Sequence, residues 1–317
     1  MRSGSLSLRQ SIAFVLCGVL TATCSTHLQA QAPPNPEVIS LNATDGFPLK
    51  MSYYPALESK NPDGLWEAPV VLFLHGEKGS RVQWDRGSAP RGKEPVPNYL
   101  NSQGYAVLVL DFRKHGESIV DGQADDAVRP GDYPAMVAGD LVAVKQFLYE
   151  KHMEKKLNMA KLGIVATDMS VPLALAFAEA DWKQVPYDDS PVLSMRTPRG
   201  QDVRAIVMIS PEQKAGTIAA TRSLTFLKAP QFNIGMLFIA GAEDRAGMAN
   251  LRKLHAAASA SPKSEDRVVQ FTPEAKDSGI PLLVRAPVAI SEIIKFLDER
   301  VAKAEIPWQD RRSRLNR

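Results

Sequence analysis

LGIVATDMSVPLALA, residues 162–176, is the stretch whose reading decides the fold. Its first five residues are apolar and uninterrupted, which marks a strand buried on both faces. From Met169 onward the run to Ala180 reads as a helix, so strand passes into helix across Thr167-Asp168. Small residues, Ala166 and Ser170, stand two places either side of Asp168. A turn that sharp needs them, because the helix must pack closely on the strand it has just left.

The pattern repeats outward from there. Val70–Leu74, Ala106–Leu110, Val203–Ile209, Met236–Ala240 and Val268–Phe271 are further apolar runs, and Val38–Leu41 with Leu49–Tyr54 reads as an opening antiparallel pair around Asp45-Gly46. Helical stretches are expected at Pro134–His152, Ala246–Ala260 and Ala286–Lys303. Strand–helix alternation with short connections predicts one α/β domain, a mostly parallel eight-stranded sheet with helices on both faces. Two longer excursions, Asp181–Asp202 and Pro211–Gly235, are candidates for a cap or rim over the carboxyl ends of the strands, where ligands bind in such sheets.

The strand ends carry the chemistry. Val70–Leu74 runs into His75-Gly76-Glu77-Lys78-Gly79, Ala106–Leu110 into Asp111-Phe112-Arg113-Lys114-His115-Gly116-Glu117-Ser118, and the run ending at Ala240 into Gly241-Ala242-Glu243-Asp244. With the turn at Asp168, this order and spacing resembles the α/β-hydrolase fold superfamily, its esterases and dienelactone hydrolases among them, over roughly 37–304. The resemblance implies a nucleophile in a Gly-x-Ser-x-Gly elbow, then an acid, then a histidine. Here the elbow is Ala166-Thr167-Asp168-Met169-Ser170, with Asp168 where serine is expected. Asp244 matches the acid position. The loop after the last strand, Thr272 to Gly279, has no histidine, and Asp277 is its nearest occupant. The resemblance also implies oxyanion-loop positions at His75, Gly76, Glu77 and Met169.

Of five histidines, His27 falls in a leader, leaving His75, His115, His152 and His255. His75 and His115 are expected to make structural hydrogen bonds. His152 ends a helix where a cation suits the dipole, and His255 lies three turns into a helix, facing away. No histidine stands at the base position. In a comparable triad, loss of serine or histidine alone removes about six orders of magnitude of rate. Asp168 without a base could form an ester it could not turn over, and carboxylates at Asp168 and Glu77 would repel a developing oxyanion. Ser118, Ser170 and Ser210 read as turn or packing residues.

Three readings stay open on these residues. The first is an inactive hydrolase scaffold that binds a ligand or a partner. The second is a hydrolase of carboxylic esters or similar substrates with Asp168 as nucleophile and His75 or His115 reaching across. In the third, Asp168, Asp244 and Asp277 converge and are compensated by a proton, a basic side chain or a hard cation such as calcium. Asp168 could also simply accept backbone N–H groups at the start of its helix. No resident metal and no cofactor is assigned.

Composition sets the compartment. The chain has 317 residues, a net charge of +3, 44% hydrophobic residues and two cysteines. Both cysteines, Cys17 and Cys24, lie in 1–30, where Arg2 and Arg9 precede the apolar run Ile12–Leu20 and the polar end Leu28-Gln29-Ala30. That layout is a secretory signal, too short to span a membrane. It predicts export to the periplasm or beyond and a mature chain without cysteine, hence without disulfide or thiol chemistry. A Pro-rich joint follows at 31–36, then the hydrolase-like domain at 37–304 and a basic, solvated tail at 305–317. Without its leader the protein is close to neutral (36 basic against 35 acidic residues), which gives no reason to expect nucleic acid.

Overall fold

The computed structural model describes Met1, residues 36–120 and residues 127–316. The chain separates into Met1–Ala32 and Pro33–Arg317, and the second unit is described below. The proposed leader lies outside the described residues.

Eight strands form one sheet: β1 (Glu37–Asn42), β2 (Pro48–Tyr54), β3 (Val70–Leu74), β4 (Ala106–Asp111), β5 (Leu162–Thr167), β6 (Val203–Ile209), β7 (Gly235–Ile239) and β8 (Val268–Phe271). Their spatial order is β1-β2-β4-β3-β5-β6-β7-β8. β2 pairs antiparallel with β1 and β4, and every other neighbouring pair is parallel. The sheet is therefore the mostly parallel, eight-stranded one expected from the apolar runs.

Those runs are continuous because both faces of the strands are covered. Leu72, Leu74, Leu108, Leu110, Ile164 and Met208 point into one core. Their neighbours Val71, Phe73, Val107, Val109, Val165 and Val207 point into the other. The period-two alternation of side chains divides each strand between two layers. Seven of the helices that cover them are α1 (Arg81–Asp85), α2 (Val96–Ser102), α3 (Leu141–Met153), α4 (Ser170–Trp182), α5 (Ala220–Leu227), α6 (Arg245–Ser259) and α7 (Gly279–Arg285). An eighth, α8 (Val288–Leu297), runs on through a π segment, Asp298–Ala302. The first core takes side chains from α3–α6 and the second from α1, α2, α7 and α8. Burying each Leu, Val or Phe contributes about 1.5–3 kcal/mol, so the two cores hold the fold together.

Two placements differ from expectation. Asp181–Asp202 does not cap the carboxyl ends of the strands. α4 starts at the carboxyl end of β5 and carries the chain back, so the segment after it lies at the opposite edge, where Asp202 leads into β6. Pro211–Gly235 does begin at the carboxyl edge, and it folds as a small hairpin (Lys214–Ala215 with Ile218–Ala219) followed by α5.

The tail is not a solvated end either. Ile306 O accepts from Asn158 Nδ2 at 2.9 Å, and Gln309 O accepts from His152 Nε2 at 2.8 Å. The Trp308 ring stacks on His152 with centroids 5.1 Å apart. Arg311 is 5% exposed and pairs with Asp202. Basic composition misleads here because arginine also serves as an anchor, its planar fork matched to a carboxylate. His152 is accordingly no helix-end cation. Its Nδ1 accepts from Met159 N–H at 3.3 Å, so the ring is neutral, and burial pulls its pKa below the ordinary value.

Candidate active site

The elbow between β5 and α4 is built by Ser170. Its hydroxyl accepts from Thr167 N–H at 2.9 Å and lies 2.8 Å from Thr167 O, closing the turn on itself. Asp168 N–H donates to Ile209 O on β6 at 3.1 Å, and Asp168 O accepts from Val171 N–H at 3.2 Å. These bonds hold Asp168 at φ +50°, in the left-handed region. For a residue other than glycine that conformation costs about 1–3 kcal/mol and persists only where its surroundings fix it. The small residues flanking Asp168 therefore mark a sharp elbow, with Asp168 at its tip.

The carboxylate at the tip is wedged rather than cradled. A Cβ added to Gly76, in the loop after β3, would lie 2.3 Å from Asp168 Oδ2. One added to Gly279, at the start of α7 and at φ +59°, would lie 2.8 Å from the same oxygen. A Cβ at Gly76 would be crowded by the whole Asp168 side chain, its Cβ included at 3.1 Å, while Gly279 is restricted by its left-handed backbone and lies against the carboxyl tip. Gly279 is in turn held by Ser210, whose Oγ accepts its N–H at 2.8 Å. No side chain caps the first turn of α4, so the carboxylate does not bond the helix N–H groups.

A half-buried carboxylate with no donors of ordinary geometry should resist ionisation. Burial, then the nearby Glu212 charge, pushes the Asp168 pKa up to about 6, with Asp244 adding to the rise and the Thr167 hydroxyl opposing it. Glu212 stands three residues past β6, and its N–H donates to Asp168 O at 3.3 Å. Its own pKa is raised by burial and by Glu77. Tyr133 is raised too, first by burial and then by Glu77, Glu212 and Asp132. The edge above the elbow is thus acidic. Glu212 and Tyr133 were not among the residues singled out from sequence, although Glu212 stands three residues after a buried strand, where the functional loops begin.

Of the three carboxylates expected to converge, the structure brings two near each other. Asp244 is the N-cap of α6, where Oδ1 accepts from Gly247 N–H at 3.0 Å. Asp277 turns aside, with Oδ2 3.7 Å from Arg285 Nε, and exerts no resolved influence on Asp168. The residue opposite Asp168 is Gly279, two places further along the chain. Among the described residues no group of His, Cys, Asp or Glu is arranged to hold a metal ion.

The histidines are committed elsewhere. His75 Nε2 accepts from Phe112 N–H at 3.2 Å, so Nδ1 carries the proton and donates to Gly76 O at 2.7 Å. Buried, and beside His115, it has a pKa lowered to about 3. It stays neutral, fixing the loop that carries Gly76. His115 Nδ1 pairs with Arg113 O at 2.9 Å. His255 Nε2 lies 3.4 Å from Ser259 Oγ on its own helix, and burial lowers its pKa. Among the described residues no imidazole is hydrogen-bonded to Asp168. Met169, 1% exposed, follows Asp168 into the helix, while Glu77 is exposed at the rim.

No protein-family model matches the sequence, and no curated protein matches it. Solved structures do. An esterase from Pyrococcus furiosus superposes with a TM-score of 0.58 at 15% identity, covering 84% of this chain and 91% of its own. A dienelactone hydrolase from Anabaena variabilis gives 0.56 at 16% identity, with coverage of 85% and 100%. The esterase domain of a Rhodothermus marinus protein gives 0.51 at 12%, with coverage of 85% and 100%. At such identities the likeness establishes the fold, and the fold is that of the α/β hydrolases.

Proposed function

We propose that this chain is an exported α/β-hydrolase-fold protein that no longer hydrolyses esters and acts by binding a small molecule or a protein partner. The observation that carries this reading is the Asp168 carboxyl group, wedged between Gly76 and Gly279 with no imidazole bonded to it. Ester hydrolysis needs a nucleophile open to attack, donors for the developing oxyanion and a base for the water that completes the cycle. At the elbow, the carboxyl tip is closed in by the backbone of Gly76 and Gly279. Glu212 and Asp244 bring negative charge where an oxyanion needs the opposite.

Export is proposed from the leader in 1–30, and a cysteine-free mature chain suits an oxidising compartment. No helix among the described residues is long and apolar enough to cross a membrane.

The test is turnover together with intact mass. Purified protein incubated with p-nitrophenyl acetate and short-chain alkyl esters should show no saturable release of product and no added mass. Saturable turnover, abolished in Asp168→Ala, would overturn the reading. An acetyl or other acyl group trapped on Asp168 as a mixed anhydride, with p-nitrophenolate or the alcohol released once and no further turnover, would instead show that the first chemical step survives, the active-hydrolase alternative cut short by the missing base.

A further inference from the structure

The end of the sheet opposite the elbow holds a second basin. It forms where α3 and the segments before β5 and β6 meet the docked tail. A cavity of about 450 Å³ there is lined by Lys145, Tyr149, Gln184, Tyr187, Arg199 and Arg311 among others. A neighbouring lobe of about 380 Å³ shares Gln184, Pro198 and Arg199 and adds Leu193 and Arg196. Volumes of this order suit a small organic ligand.

The charges of the basin are not self-cancelling. Lys145 and Arg311 are tied to Asp181 and Asp202, but those carboxylates have side chains 1% exposed, behind the cations. Asp188 is taken by Arg196 at 2.6 Å. Asp189 accepts the backbone N–H groups of Thr197 and Arg314. Arg199 has no carboxylate bound to it among the described residues. Its guanidinium lies over the Tyr187 ring, 5.2 Å from the centroid, which leaves the edge of its fork open for bidentate bonding. Arg311 Nε, buried, has no hydrogen-bond partner.

The apolar side is as distinct. Val185, Val192, Leu193 and Met195 are 69%, 50%, 69% and 52% exposed on the loop that rims the second lobe. A tyrosine ring, a guanidinium with no carboxylate bound to it and an exposed apolar rim together describe one kind of ligand.

We infer that this basin is a binding site for an organic anion with a flat apolar body, an aromatic carboxylate, held by Arg199 with its ring against Tyr187. The site is separate from the elbow and does not depend on whether Asp168 retains any chemistry. β5 alone, six residues at ~3.3 Å each, separates the two ends by ~20 Å.

Isothermal titration with 2-naphthoate tests this, with the neutral 2-naphthamide as comparator. The acid should bind saturably and at least tenfold more tightly than the amide. Arg199→Gln should weaken it about tenfold or more with the melting temperature unchanged, and Tyr187→Leu should weaken it as well. Asp168→Ala should leave it as it was. No saturable binding to the unaltered protein up to about 1 mM, or equal binding by Arg199→Gln, would overturn the inference. Loss of binding in Asp168→Ala with Arg199→Gln unaffected would do so too, by placing the ligand at the elbow.

Discussion

The two ends of the parallel strands carry opposite chemistry. At the carboxyl end, Asp168 is held above the ordinary carboxylate pKa by burial and then by the charges of Glu212 and Asp244, and Glu212 by burial and then by Glu77. At the amino end, Lys145, Arg199 and Arg311 surround a basin, and the acids that balance two of them are buried. In an active member of this fold the carboxyl end is the one that must stabilise negative charge. Here it has the least capacity to do so, and the donors lie at the other edge.

Breaking the basic end should have the largest effect on stability. Arg311→Ala strips Asp202 of its strongest partner in a buried site and frees the tail from Pro198 O and Gly200 O. A loss of about 3–5 kcal/mol is expected, as when one partner of a buried ion pair is removed, and chemical denaturation measures it.

The wedge at the acidic end comes next. Gly76→Ala should destabilise by about 2–4 kcal/mol, because its Cβ would sit against Asp168 Oδ2. Much of that should vanish in an Asp168→Ala background. A double-mutant cycle should return a coupling of at least about 1 kcal/mol. Simple additivity would show that the two groups do not touch.

Asp168→Asn sharpens the contrast with pH. The folded pKa of Asp168, about 6, lies above the ordinary value of 3.8. The native state therefore binds the extra proton between those values, and stability falls as pH rises through the window. The cost is absent below the lower value and complete above the upper one, about 3 kcal/mol at 1.36 kcal/mol per pH unit. Asparagine tolerates the left-handed backbone and removes the charge. The variant should melt higher than the parent above pH 6 and lose that advantage in acid. A pH-independent difference would contradict the assignment. Arg199→Gln is the smallest of these effects, within about 0.5 kcal/mol in stability, because an exposed guanidinium stacked on a ring supports binding rather than folding.

The sheet was legible because strands buried on both faces read as unbroken apolar runs, and β3 to β6 fall where those runs do. The elbow was legible from the small residues around Asp168. The short helices α1, α2 and α7 were not, since five to seven residues give too little of a 3.6-residue period to stand out. Asp277 was two residues from the position facing Asp168, because where a loop turns into a helix depends on backbone geometry, here the left-handed Gly279. The opposite basin was hidden for a different reason. Lys145, Arg311 and the pair Tyr187 and Arg199 come from three separated segments, and Trp308 reaches His152 across 156 residues of chain. Such long-range packing leaves no local signal.

Direct titration of the Asp168 carboxyl group by carbon NMR bears most closely on the central claim, that this carboxylate is wedged and unsupported rather than poised to attack. A midpoint near 6, falling toward the ordinary range in Glu212→Gln, is the predicted result. A midpoint at or below the ordinary carboxylate value would contradict it, because only open solvation or donors aimed at the anion could hold it there.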